Sequence, residues 1–70
     1  MNKKKLGQLL KSRRNELGIN QVDLSEISGV ALHTISDIES GKGNPTLQVI
    51  NKICDILGME LKIHVKGVEK

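Results

Sequence analysis

Apolar residues follow a helical period in four successive blocks and then switch to strict alternation. Leu6, Leu9, Leu10 and Leu17 fall on one helical face, with Lys and Arg on the other, and Gly18 stands where a left-handed residue ends a helix. Asn20 opens a second short helix as its N-cap, with Asp23 three residues on to complete a capping box. Leu24 and Ile27 are the buried positions of that helix, and Gly29 closes it. A third helix is predicted over residues 31–40, where Leu32, Ile35 and Ile38 recur every three residues. The run Gly41-Lys42-Gly43-Asn44-Pro45 is turn-forming. Thr46 then caps a fourth helix whose stripe is Leu47, Ile50, Ile53, Cys54 and Leu57, ended by Gly58. From Glu60 to Lys66 the period becomes two, which predicts a half-buried strand with Leu61, Ile63 and Val65 on its apolar face. A lone strand needs a partner for its backbone. Its own copy in a second subunit is the most economical one, giving an antiparallel ribbon about a two-fold axis. The alternative for this segment is a fifth, frayed helix or a disordered tail.

Seventy residues allow one domain with a marginal core. No apolar stretch approaches the roughly 20 residues of a membrane span, and the basic start of the chain leaves no room for a signal-peptide core. A single cysteine, Cys54, cannot form an intrachain disulfide or a tetrahedral metal site; on its apolar stripe it reads as a small core residue. These features fit a reduced, cytoplasmic setting. With no Phe, Tyr or Trp there is no stacking platform for single-stranded nucleic acid or splayed RNA bases. The net charge of +3 favours polyanions, and six of the eleven Lys and Arg fall in the first fourteen residues. Taken alone, that cluster reads equally well as a solvated face. Residues 1–5 are expected as a basic arm, 6–58 as the domain, 59–66 as a dimerisation strand and 67–70 as a short tail.

The second and third helices obey the spacing of a helix-turn-helix. Leu24 is the buried residue of the first helix of the motif, and Ser25 is the small residue where the next helix crosses. Gly29 takes the positive φ of the turn, and Val30, Ile35 and Ile38 are the apolar positions beyond it. The segments Leu17-Gly18-Ile19-Asn20-Gln21, Gly29-Val30, Thr34-Ile35-Ser36, Ile38-Glu39-Ser40-Gly41-Lys42 and Asn44-Pro45-Thr46-Leu47 resemble the lambdoid phage repressor (XRE-type) superfamily over residues 6–58. Within it, the small size and the segment after Gly58 look most like HipB-type antitoxins, small dimeric repressors paired with a HipA-type kinase toxin. The resemblance implies an all-α, compact bundle of four to five short helices, to which the expected C-terminal strand is added. It implies a homodimeric repressor that places residues 31–40 in the major groove of a palindromic operator. Leu32, His33, Ser36 and Asp37 would then face base edges: His33 toward guanine, Leu32 toward a thymine methyl, Asp37 toward cytosine N4 and Ser36 in either role. Gln21, Thr34, Ser40, Lys42 and Asn44 match backbone-contacting positions, which set register rather than specificity.

Arg14 and Glu39 match a buried ion pair tying the first helix to the third, which leaves Arg13 as the exposed cation for a phosphate. Two departures from the family pattern stand out. Ala31 replaces a residue that often caps the helix or holds a phosphate, and the third helix lacks Lys and Arg, so bidentate Arg–guanine readout is missing from it. Affinity should then lean on dimerisation, on the N-terminal basic cluster and on Lys42.

Neither catalysis nor a cofactor is expected. His33 and His64 lie on separate elements, no phosphate loop follows a strand, and no carboxylate pair sits in an apolar setting. His64, between Lys62 and Lys66, reads as solvent-facing, with a pH-sensitive contact across a dimer as the alternative. Two alternatives are also open: an interaction module whose main task is to hold a toxin or kinase partner, and a stand-alone phage-type repressor without a toxin.

Overall fold

In the computed structural model, which describes residues 1–67, four helices follow one another: α1 (Lys3–Glu16), α2 (Gln21–Ser28), α3 (Leu32–Glu39) and α4 (Leu47–Leu57). Each of α1, α2 and α4 starts on a side chain that accepts from its third residue. Asn2 Oδ1 takes Lys5 N–H at 2.8 Å, Asn20 Oδ1 takes Asp23 N–H at 2.7 Å, and Thr46 Oγ1 takes Val49 N–H at 3.1 Å. Asp23 returns the contact to the Asn20 N–H at 3.3 Å and completes the capping box. At the turn between α2 and α3, Gly29 takes φ 77°, a conformation that any β-carbon would strain. Two serines secure the same turn. Ser25 Oγ donates to the Val30 carbonyl at 2.6 Å, and Ser28 Oγ accepts the Val30 N–H at 3.2 Å.

The core is built from Leu10, Leu24, Val30, Ile35, Ile38, Ile50, Ile53, Cys54 and Leu57, with Leu6, Ile19, Val49, Ile56 and Met59 packed against it. Helices α1 and α2 both pack on α3 and α4, so every helix contributes to one apolar centre. Burial pushes the Cys54 thiol up, with the Asp55 carboxylate adding to the shift, so it packs there as a neutral group. No helix among the described residues is long and apolar enough to cross a membrane.

Several expectations need correction. The buried seam of α1 runs through Gly7, Leu10 and Arg14, while Leu9 and Leu17 are exposed. Ile27 and Leu47 also lie outside the core, 59% and 61% exposed. Spacing marks a face, but which part of the face is covered depends on where the neighbouring helices cross. Residues 1–5 are not an arm: Asn2 caps α1, and Lys3, Lys4 and Lys5 form its first turn. No strand forms among the described residues, and Leu61, Ile63 and Val65 are exposed, Ile63 to 95%. Alternation specifies which side chains share a face, but a strand also needs a neighbour for its N–H and C=O groups, and one chain provides none. The rest of the expected tail, residues 68–70, lies outside the described residues.

Candidate nucleic-acid interface

The position of α3 is set from its C-terminal end. Arg14 on α1 reaches Glu39 with both arms of its guanidinium, Nε to Oε2 at 2.7 Å and Nη2 to Oε1 at 2.9 Å, while Nη1 donates to the Ile19 carbonyl at 2.8 Å. Both side chains are buried, so this is a planar, bidentate pair removed from water. Burial pushes the Glu39 carboxyl up, yet hydrogen bonds from Arg14 and Gln21, with the charges of Arg14 and Lys11, bring it below the usual carboxylate range. Its hydrogen bond to Glu39 raises the Arg14 guanidinium above its ordinary value, against the opposing effect of burial. Ile38 is held by a second feature. A β-carbon at Gly7 would collide with the Ile38 carbonyl oxygen, so α1 and α3 touch backbone to backbone at that point.

One face of α3 looks outward along its length. Leu32, His33 and Asp37 are exposed, and Thr34 and Ser36 are half-buried. Ala31 makes no side-chain cap; its carbonyl instead accepts from Thr34 and Ile35 at 3.0 and 3.1 Å. The loop after α3 folds back on the helix, with Lys42 N–H donating to the Asp37 carbonyl at 2.8 Å. Helix and loop together enclose an open cleft of about 180 Å³, and His33, Thr34, Asp37, Lys42 and Asn44 all line it. Ser40 is exposed at the end of the helix, its hydroxyl donating to the Ser36 carbonyl at 2.8 Å.

Not every expected contact residue is placed there. Arg13, expected as an exposed cation, donates through Nε to the Leu57 carbonyl at 2.8 Å and through Nη1 to Glu16 at 3.3 Å. It caps the C-terminal end of α4, where a cation complements the free carbonyls. Gln21, at the start of α2, turns its Nε2 toward Glu39 Oε1 at 3.0 Å and joins the buried ion pair. One of its two amide hydrogens is thereby engaged within the protein. Conversely, Lys3 stands out only in the folded chain, where it donates to the Gly43 carbonyl at 2.6 Å and to Asn44 Oδ1 at 3.2 Å. No local sequence signal would have found that contact, because its partners lie 40 and 41 residues away. Among the described residues, no group of three or more His, Cys, Asp or Glu is placed to hold a metal ion.

A hairpin of two short helices, with the second anchored from behind and its outer face left open, defines a helix-turn-helix unit. A family model described as Helix-turn-helix matches residues 10–63. The chain belongs to the XRE-type helix-turn-helix family, whose members are DNA-binding transcription regulators. It is 38% identical over 60 residues to an uncharacterized HTH-type transcriptional regulator of Methanothermobacter thermautotrophicus, covering 86% of this chain and 83% of that one. Against the ImmF control region 10 kDa protein of Bacillus phage phi105 the identity is 30% over 60 residues, covering 86% of this chain and 67% of that one. An uncharacterized HTH-type transcriptional regulator of Haemophilus influenzae is 42% identical over 50 residues, which are 71% of this chain and 51% of that protein.

Proposed function

We propose that this chain is a sequence-specific repressor of transcription that binds double-stranded DNA as a homodimer, with one α3 in the major groove of each half of a palindromic operator. The observation that carries this reading is the cleft in which the outward residues His33, Thr34 and Asp37 of α3 meet Lys42 and Asn44 of the following loop. Base-reading and phosphate-holding chemistry thus lie side by side on one exposed surface. Leu32, His33, Ser36 and Asp37 are assigned to base edges, and Thr34, Ser40, Lys42 and Asn44 to the DNA backbone. Gln21 contributes a backbone contact through its remaining amide hydrogen and the start of α2. Arg13 is withdrawn from the set, since α4 holds it.

Two copies would set half-sites about 34–36 Å apart, or a multiple of that spacing. The second copy is assigned to the exposed apolar positions Leu61, Ile63 and Val65, whose burial would favour association. The reading of a HipA-like kinase toxin as partner rests on the small size of the chain and on a strand after Gly58, and size alone does not single out such a partner. With no strand there among the described residues, the proposal rests on DNA alone.

Selection of duplex DNA from a random pool, at low and at near-physiological salt, tests this reading. A palindromic consensus that survives the higher salt is the expected result. Enrichment only at low salt, without a consensus, would reduce the interaction to general polyanion attraction and give first place to a partner-holding module. Lys42→Ala should weaken all sequences alike and lower the salt slope by about one. Equal slopes for the two proteins would remove Lys42 from the interface.

A further inference from the structure

Lys3 stands in the first turn of α1, and its ammonium is held by the loop that follows α3: the Gly43 carbonyl at 2.6 Å and Asn44 Oδ1 at 3.2 Å. The loop backbone rests on the same turn, since a β-carbon at Gly41 would sit 3.0 Å from Lys4 Cα. Two consequences follow from the chemistry of these groups. An ammonium only donates, whereas an asparagine amide has one accepting and one donating end. Lys3 therefore fixes which way the Asn44 amide is turned: Oδ1 faces α1, and the Nδ2 hydrogens remain for an acceptor outside the chain. The Gly43 carbonyl, which accepts from the same ammonium, holds that ammonium beside Oδ1.

We propose that Lys3 is a positioning residue for DNA binding. It acts through Asn44, locking the loop of residues 41–45 as a surface that donates to a phosphate, and does not reach the phosphate itself. The first turn of α1 is then a clamp on the phosphate-holding loop rather than a basic patch of its own. This inference rests on the DNA-binding reading and assigns to that surface the residue that orients it.

A double-mutant cycle on the selected duplex tests it, comparing wild type, Lys3→Met, Asn44→Ala and the double variant across a salt series. Methionine keeps an apolar stem of similar reach and removes the ammonium. Each single change should weaken binding about threefold, the scale of an exposed polar contact. The double variant should bind no more weakly than Asn44→Ala alone, the Lys3→Met salt slope should match that of wild type, and Lys3→Arg should retain most of the affinity. Losses that multiply in the double variant, with a slope lower by about one for Lys3→Met, are the signature of a lysine that meets a phosphate directly and would overturn the proposal.

The latch is also open to test without DNA. The side-chain amide signals of Asn44 in the free, 15N-labelled protein should move on Lys3→Met at an unchanged melting temperature, and unmoved signals would refute the contact. A wild type that selects no duplex brings down the DNA-binding reading and this inference with it. Multiplying losses in a wild type that does bind bring down this inference alone.

Discussion

At its C-terminal end, α3 is held by the Arg14 fork on Glu39 at 2.7 and 2.9 Å, by the bare backbone of Gly7 against Ile38, and by a loop that returns to Asp37. At its N-terminal end, Ala31 provides no side-chain cap, and Leu32 and His33 stand exposed. Fixed contacts gather where the helix is covered, while Leu32 and His33, both assigned to base edges, stand clear of the core. Such an arrangement lets side chains that read a sequence be exchanged without unfolding the domain that carries them.

The largest effect is expected at the anchor. Arg14→Ala leaves Glu39 buried without its partner and should cost about 3–5 kcal/mol in urea unfolding, enough to unfold much of so small a domain. An unchanged unfolding midpoint would erase the contrast between the two ends. The same pair sets an acid limit. The Glu39 carboxyl titrates below its unfolded value, so the stabilisation is complete above the ordinary carboxylate pKa and is lost as pH falls through the lower folded one. Thermal melts should therefore fall in acid, with a smaller acid-dependent loss in Glu39→Gln than in wild type.

Gly7→Ala comes next, because its new methyl must push α1 away from the Ile38 carbonyl. A loss of about 1–3 kcal/mol is expected, read by the same unfolding curves. A neutral substitution would show that the two helices are free to slide. At the opposite end, Ala31→Ser should add about 1 kcal/mol by supplying the missing N-cap. No gain would mean that the first turn of α3 is already satisfied. The smallest change in stability belongs to His33→Ala, within about 0.5 kcal/mol, although the base preference in duplex selection should relax at one position of each half-site. A lowered melting temperature there would show that the outer face also supports the fold.

Signals with a short range were legible in the sequence. The Asn20–Asp23 box, the Thr46 cap, the turn at Gly29 and the apolar stripe through Ile50, Ile53, Cys54 and Leu57 each follow from residues within a few positions of one another. The neighbours of the site that lie far off in sequence were harder to read. Gly7 has no side chain to mark a periodic position, and Arg14 is told apart from its basic run by the family resemblance that pairs it with Glu39 rather than by any local pattern. Arg13 and Arg14 are adjacent in the chain yet serve different helices, one meeting the end of α4 and the other Glu39 of α3. Alternation after Gly58 was misleading for the converse reason: the pattern is local, but the strand it describes depends on a partner.

By itself, the sequence determined where α2 and α4 begin and end, which residues form the motif and which family the chain joins, because capping, turn conformation and apolar period are carried by neighbouring residues. Only the tertiary structure decided that Arg13 is drawn to the end of α4, how the Arg14 fork meets the two Glu39 oxygens, where α1 approaches α3 closely enough to require Gly7, and that Lys3 grips the loop beside α3. Those outcomes depend on distances between residues 25 to 44 positions apart. Such distances are set when the helices pack around their shared core, and no window along the chain contains them.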